Sequence, residues 1–315
     1  MIGLFHSRIR AGIDISGSKV VMARIDGSAS AASSERFSDI RLEENTVKPS
    51  FRQENILNEA SFCGRVRQVS KGANIRSVGV SLPDACFKVL IKHFNEVPDK
   101  QGDLEKLVEW SVSDSVSIPT DALKVSWLNM GQAEGGYHVF LIVLAMKTVV
   151  NQYERMLKKC GLKPVIIVPA GLSQFNHFAL GIPEIGNIAY LGIFEDGLTT
   201  LVFSDALPVF YKVVKKGLIS VKEANIAEDM DMLLKYFRTE YTDFKIDHFY
   251  IASHIQSEER IRHMVEDILP VEMTMIKDST LGTGSTLGKA EHGISERMLY
   301  ASALGAARAL EGGHR

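Results

Sequence analysis

The chain has 315 residues, 45% of them hydrophobic and 23% charged, with 36 Lys and Arg against 38 Asp and Glu and a formal net charge of −2. These proportions exclude a disordered or fibrous chain, and without a basic excess nucleic acid is excluded as a main partner. The length predicts two domains, or two lobes of one. No run of about 18 apolar residues exists, and the apolar part of MIGLFHSRIR is too short for a secretory signal, so a cytoplasmic protein is expected. Cys63, Cys86 and Cys160 are odd in number, far apart in sequence and without ligand spacing. They are expected to be buried thiols, and no metal site is predicted.

Residues 9–15 and 19–25 are β-rich runs around Ser16-Gly17-Ser18, which predicts a hairpin, and the Ser-rich stretch 26–39 leads through a loop to another extended run. A helical pattern covers 54–72, and SVGVSLP (77–83) reads as a buried strand closed by Pro83. The pattern then changes. An extended FKVLIKHF is followed by a helix on which Leu104, Leu107, Val108, Val112 and Val116 recur until Pro119, and by the extended runs KVSWLNM and YHVFLIVLAM. This predicts a small α+β subdomain inserted at about 83–145.

Val149, Tyr153, Met156, Leu157 and Cys160 share one face of a further helix, with Gly161 placed to end it in the left-handed conformation. The strand KPVIIVP ends at Pro169 and Gly171, and NHFALGIPEIG is the expected boundary between a first lobe (1–180) and a second (187–315). From Asn187 the order begins again. Three extended runs with turns at Asp196-Gly197 and near Asp205 precede a helix at about 221–239, the strand DHFYIAS, a helix carrying Ile261, Met264, Val265 and Ile268, the strand VEMTMI and an Ala-rich last helix. Ala301, Ala303, Gly305, Ala306 and Ala307 are expected to pack that helix closely on its own sheet. Two halves of order βββ, α, β, α predict a structural duplication.

GIDISGS carries the chemistry. Small residues at a hairpin tip let backbone amides approach a phosphate, and an adjacent carboxylate can hold a cation through water. The other reading of the same residues is a strand-turn-strand in which Asp14 only caps the turn. GTGSTLGKA (282–290) fails as a phosphate loop at Thr283 and Ala290. No nucleophile-elbow or zinc-helix spacing is present, so no catalytic residue is assigned. Trp110, Trp127 and Tyr153 are read as core or subdomain-interface residues.

GIDISGSKV, EWSVSDSVSIP, the block from Ala145 to Leu180, the three-strand block from Asn187 to Gly217 and SERMLYASALGAARAL, taken in order, resemble the actin-like ATPase superfamily. The similarity is greatest to its PilM branch, related to FtsA and to GspL cytoplasmic domains. The resemblance implies an α/β protein of two ribonuclease H-like lobes, a small α+β subdomain inserted in the first, and a nucleotide cleft between them. It places the first phosphate hairpin at Asp14, Ser16, Gly17 and Ser18, with Ser16 where the family has glycine. In the second hairpin, anchored on Thr199 and Thr200, Ile193 falls at the family aspartate and Glu195 at its glycine, with Asp196 beside it. In the adenosine segment Ser253 and His254 stand where the family has glycines, and Gln256 follows.

From this pattern the chain is expected to be a non-catalytic, PilM-like cytosolic adaptor of a type IV pilus or type II secretion inner-membrane platform, with no cofactor. Its expected partner is the short N-terminal cytosolic segment of a bitopic, PilN-like inner-membrane protein, held between the first-lobe core and the insertion. The alternative is a divergent ATPase or small-molecule kinase using Mg-ATP through Asp14 with Glu195 or Asp196. Self-association into a filament is a third reading.

Overall fold

The computed structural model describes residues 10–26, 34–215, 223–253, 261–263, 273–276 and 298–312. In chain order the first lobe contains β1 (Arg10–Ile15), β2 (Lys19–Asp26), β3 (Ser34–Arg41), α1 (Glu59–Val69) and β4 (Ser77–Leu82). The insertion follows as β5 (Lys88–Phe94), α2 (Gln101–Ser115), β6 (Leu123–Gln132) and β7 (His138–Met146), and the chain returns through α3 (Lys147–Lys159), β8 (Lys163–Pro169) and α4 (Ala170–Phe178). The second half runs β9 (Asn187–Phe194), β10 (Gly197–Ser204), β11 (Leu207–Lys215), α5 (Glu223–Glu240), β12 (His248–Ser253), β13 (Met273–Met275) and α6 (Ala301–Gly312).

One sheet plan is used twice. The first sheet has order β3-β2-β1-β4-β8 and the second β11-β10-β9-β12-β13, and in both a three-strand antiparallel meander is extended by parallel strands. The central parallel strand β4 is buried at every residue after Ser77, with α6 packed on it. The insertion is a separate three-stranded sheet, β5-β7-β6, whose Phe140, Ile142 and Leu144 pack with Val108 and Val112 of α2. The α/β class, the duplication and the inserted α+β subdomain therefore hold.

Local chemistry explains the element ends. Helix α3 buries Val149, Val150, Tyr153, Met156 and Leu157, and it stops where Gly161 takes φ +92°, with the Leu162 N–H bonded to Leu157 O at 2.9 Å. That φ strains any residue with a Cβ. The β10–β11 turn is made by Asp205 and Ala206 at φ +46° and +63°, the left-handed pair that suits the strand twist of a two-residue hairpin.

Helix α1 starts at Glu59, five residues later than the helical pattern implies. Asn58 caps it, accepting from Ser61 N at 3.0 Å, and the preceding segment is captured by a side chain. Buried Gln152 accepts from Asn55 N (2.7 Å) and Ile56 N (3.0 Å) and donates to Ile56 O (2.9 Å), imitating a strand partner. This fixed loop lets Phe51 reach into the core of the insertion.

Three expectations change. Helix α6 packs mainly on the first sheet: Ala303, Leu304 and Ala307 lie against Val21, Ala23 and Ile25 of β2, and only Met298 and Ala301 at its start stay with Ile188, Tyr190 and Leu201 of the second. A Cβ on Gly12 of β1 would stand 1.8 Å from Ala303 O, and one on Gly79 of β4 would stand 2.0 Å from Ala306 O. Helix α4, placed by sequence in the first lobe, buries Phe178 against Ile188, Tyr190 and Leu201 of the second. The two helices cross where Gly305 meets Ser173, whose hydroxyl donates to Ser302 O at 2.7 Å. Each lobe thus lends a helix to the other, and the lobes are joined by packed backbone as well as by the 179–186 linker. Trp110 is 68% exposed on α2 and is not a core residue, whereas Tyr153 is fully buried and Trp127 partly so.

All three cysteines are buried and free. Cys63 and Cys160, distant in sequence, meet across α1 and α3 with their sulfurs 2.8 Å apart. Among the described residues no helix is long and apolar enough to cross a membrane.

Candidate functional site

The two meander hairpins face each other across the cleft between the sheets. In the first, β1 and β2 are paired from Arg10↔Ile25 to Ile15↔Val20, leaving Ser16-Gly17-Ser18 as the tip. A phosphate held there would take its hydrogen bonds from the tip amides. Amides on both sides of Gly17 already have an acceptor: Ser18 N donates to Ser16 Oγ at 3.3 Å and Lys19 N at 3.1 Å, while Ser16 N donates to Lys19 O at 2.9 Å. Glycine at position 16 could not do this. The serine that departs from the family pattern therefore closes the tip on itself.

Strand register locates the second hairpin relative to the first. Asp14 of β1 is paired with Ser81 of β4, and Ile193 of β9 is paired with Ser253 of β12. Ile193 thus stands in the second sheet where Asp14 stands in the first, fully buried and without a ligand atom. Asp14 is not free either, since it accepts from Ser81 Oγ at 2.6 Å. Thr199 is buried and donates to a carboxylate of the other lobe, Asp84, at 3.0 Å, and Thr200 is buried with its hydroxyl unbonded among the described residues. Ser253 is buried at the end of β12, while His254, Gln256 and the 282–290 loop lie outside the described residues.

Glu195 and Asp196 form the β9–β10 turn. Glu195 reaches across the cleft, where its carboxylate accepts from Ser18 Oγ and, at 2.7 Å, from Lys19 Nζ. Asp196 lines a small cavity with Asp84, Gly197, Thr199 and Lys215. The structure therefore brings Ser18 to Glu195 and keeps Ile193 and Ser253 in the sheet core.

Asp84 is the residue that sequence reading missed. It follows Pro83 at the carboxyl end of β4, and its buried carboxylate accepts from Gly171 N (2.9 Å), Thr199 Oγ1 (3.0 Å) and Tyr211 OH (2.6 Å). Gly171 lies at the start of α4, which lacks a side-chain cap of its own, so Asp84 supplies the missing acceptor. Gly171 is needed there because a Cβ would lie 2.5 Å from Thr199 Cγ2. Lys215 adds a weaker tie to Ala85 O at 3.3 Å. A lone aspartate after a strand-ending proline matches no motif; its position at the carboxyl edge of a parallel strand was the available signal.

Electrostatically this is an acidic enclosure. Burial raises the carboxyl of Asp14 to about 6, although the Ser81 hydrogen bond and Lys19 act against it. Burial and then the charge of Asp84 raise Asp196 to about 7. Asp84 is raised by burial against the pull of its three donors. Among the described residues no His, Cys, Asp and Glu cluster has metal-holding geometry. The residues do not fit a magnesium triphosphate. The Ser18 and Lys19 amides are bonded to Ser16 Oγ, the Glu195 carboxylate stands between the hairpins, and Ile193 stands where the resemblance puts the second aspartate.

No protein-family model matches the chain, and no curated protein matches its sequence. Solved structures match its fold. The cytoplasmic domain of EpsL, an inner membrane component of the type II secretion system of Vibrio cholerae, aligns with a TM-score of 0.50 at 12% identity over 94% of this chain and 95% of that one. A Bacteroides thetaiotaomicron protein of actin-like ATPase fold and unknown function aligns at 0.52 and 11% identity, covering 95% and 98%. The class is thus the actin-like ATPase fold. Within it the architecture is PilM-like. A chain of the PilM-PilN type IV pilus biogenesis complex aligns at a TM-score of 0.78 and 13% identity over 97% of this chain and 99% of that one.

Proposed function

We propose that this protein is a non-catalytic adaptor, PilM-like in role as in fold, which holds an extended cytosolic segment of an inner-membrane protein at a pilus or secretion platform without using nucleotide. The observation that carries the reading is the fold likeness, nearly end to end, to a chain of the PilM-PilN complex. The cleft chemistry supports its non-catalytic half, because the donors that would hold a triphosphate are bonded within the protein.

Extended segments bind to sheet edges through main-chain hydrogen bonds and side-chain pockets. Beside the insertion two edges are available. The seam toward the first-lobe core, where the resemblance puts the groove, is filled by Phe51, which lies 5.6 Å beneath Lys88 Nζ. Toward the second lobe, β5 and β11 are both edge strands, and between them lies a cavity of about 220 Å³ lined by Val89, Ile91, Tyr211, Lys212, Tyr236 and Tyr241. We assign the segment to this cavity.

A fluorescent peptide with the sequence of the cytosolic N-terminus of a candidate PilN-like inner-membrane protein tests the reading by anisotropy. Binding of the same affinity in EDTA and in Mg-ATP is expected, weakened about tenfold or more by Ile91→Asp, which replaces an apolar side chain of the lining with a charge. Binding that requires Mg-ATP, or no binding at all, contradicts the proposal.

A further inference from the structure

Glu195 leaves the second lobe at the β9–β10 turn, and its side chain ends among donors of the first. Its two oxygens are divided between them, Oε2 accepting from Ser18 Oγ and Oε1 from Lys19 Nζ at 2.7 Å. Lys19 and Glu195 have side-chain exposures of only 14% and 28%, so their attraction is screened less than that of a surface pair. Ion pairs of this kind are also charge-assisted hydrogen bonds, the stronger class.

A hydroxyl and an ammonium side by side at a hairpin tip form the donor set of a small-anion site. A carboxylate presents two acceptor oxygens to that set much as a phosphate would. We infer that Glu195 is a built-in anion that latches the two lobes together across the cleft, in the place of a bound phosphate group. The geometry has a directional consequence. An outside anion cannot engage Ser18 and Lys19 while Glu195 does, and it would face Asp14, Asp84 and Asp196 as well. Removing the carboxylate takes this acceptor from both donors and opens the tip to an outside anion.

The inference concerns the cleft alone, so a failed peptide titration leaves it standing. It shares with the adaptor reading the premise that nucleotide does not hold these donors.

Hydrogen exchange of the full chain, followed by mass spectrometry, tests it with inorganic phosphate as the probe. In Glu195→Ala, exchange across residues 12–20 and 192–199 is expected to rise about tenfold, and millimolar phosphate is expected to slow it again, while the wild type is indifferent to phosphate. Glu195→Gln, which keeps the size and loses the charge, is expected to move the same way by a smaller factor and guards against a variant that fails to fold. Unchanged exchange in both variants overturns the latch. So does fast exchange that phosphate does not slow, or a wild type that responds to phosphate as the variants do.

Discussion

Replacing Gly305 or Gly12 by alanine is expected to destabilise the chain by about 3 kcal/mol, read as a fall in the denaturant midpoint. The cause is backbone against backbone. The added Cβ would lie 1.7 Å from Ser173 O in the first case and 1.8 Å from Ala303 O in the second, and a carbonyl in a packed helix cannot swing aside as a flexible side chain can. Relief would require α6 to move off α4 or off β1, opening the contacts that tie the lobes together. Gly64 provides the control, since it also lies within a helix but a Cβ there meets nothing within 4 Å. Gly64→Ala is expected to stabilise by about 0.5–1 kcal/mol through helix propensity. An unchanged midpoint for Gly305→Ala would show that α6 does not cross α4 at this distance.

The second large effect is on pH. Asp14 at about 6, Asp196 at about 7 and the raised Asp84 all hold a proton more tightly in the folded chain than an unfolded aspartate does. Between about pH 4 and pH 7 the folded state therefore binds more protons than the unfolded state, and stability falls as pH rises. The contribution of these groups is fully present below the ordinary aspartate value and is lost once pH passes 6 to 7. Melting temperature is expected to drop by roughly 5 °C between about pH 5.5 and pH 8, and Asp196→Asn to flatten the slope and raise the value at the alkaline end. A melting temperature that rises over that interval contradicts the acidic enclosure.

Local and periodic features were legible in the sequence. The repeated three-strand meander, the amphipathic α3, the Gly161 stop and the insertion could be read because each rests on residues a few positions apart. The resemblance, anchored on Thr199 and Thr200, also put Ile193 in the place of an aspartate. What the sequence hid has long separation and no period. Ser18 and Glu195 are 177 positions apart, and Asp84 and Tyr211 are 127 apart. Gln152 overrides helix propensity at Asn55 and Ile56 through contacts 97 and 96 residues away. The return of α6 to the first sheet was hidden for another reason. Small residues announce a close approach without naming the surface approached, and Gly12 and Gly79, which receive the helix, read equally well as ordinary strand glycines.

These contacts give the cleft a consistent physical character. Its amides are closed by Ser16, its cation by Glu195, and its deepest carboxylate by donors from β10, β11 and α4. Groups that are already matched have little to gain from a ligand, because each new hydrogen bond replaces an existing one. The same contacts tie the two lobes together across the cleft.

Thermal unfolding of the wild-type chain with and without millimolar Mg-ATP tests that account most directly. A ligand present at about 100 times its dissociation constant adds about 2.7 kcal/mol to stability, an increment that melting resolves readily. The account predicts coincident curves. A clear upward shift with Mg-ATP that Asp14→Ala abolishes would contradict it and return the cleft to nucleotide.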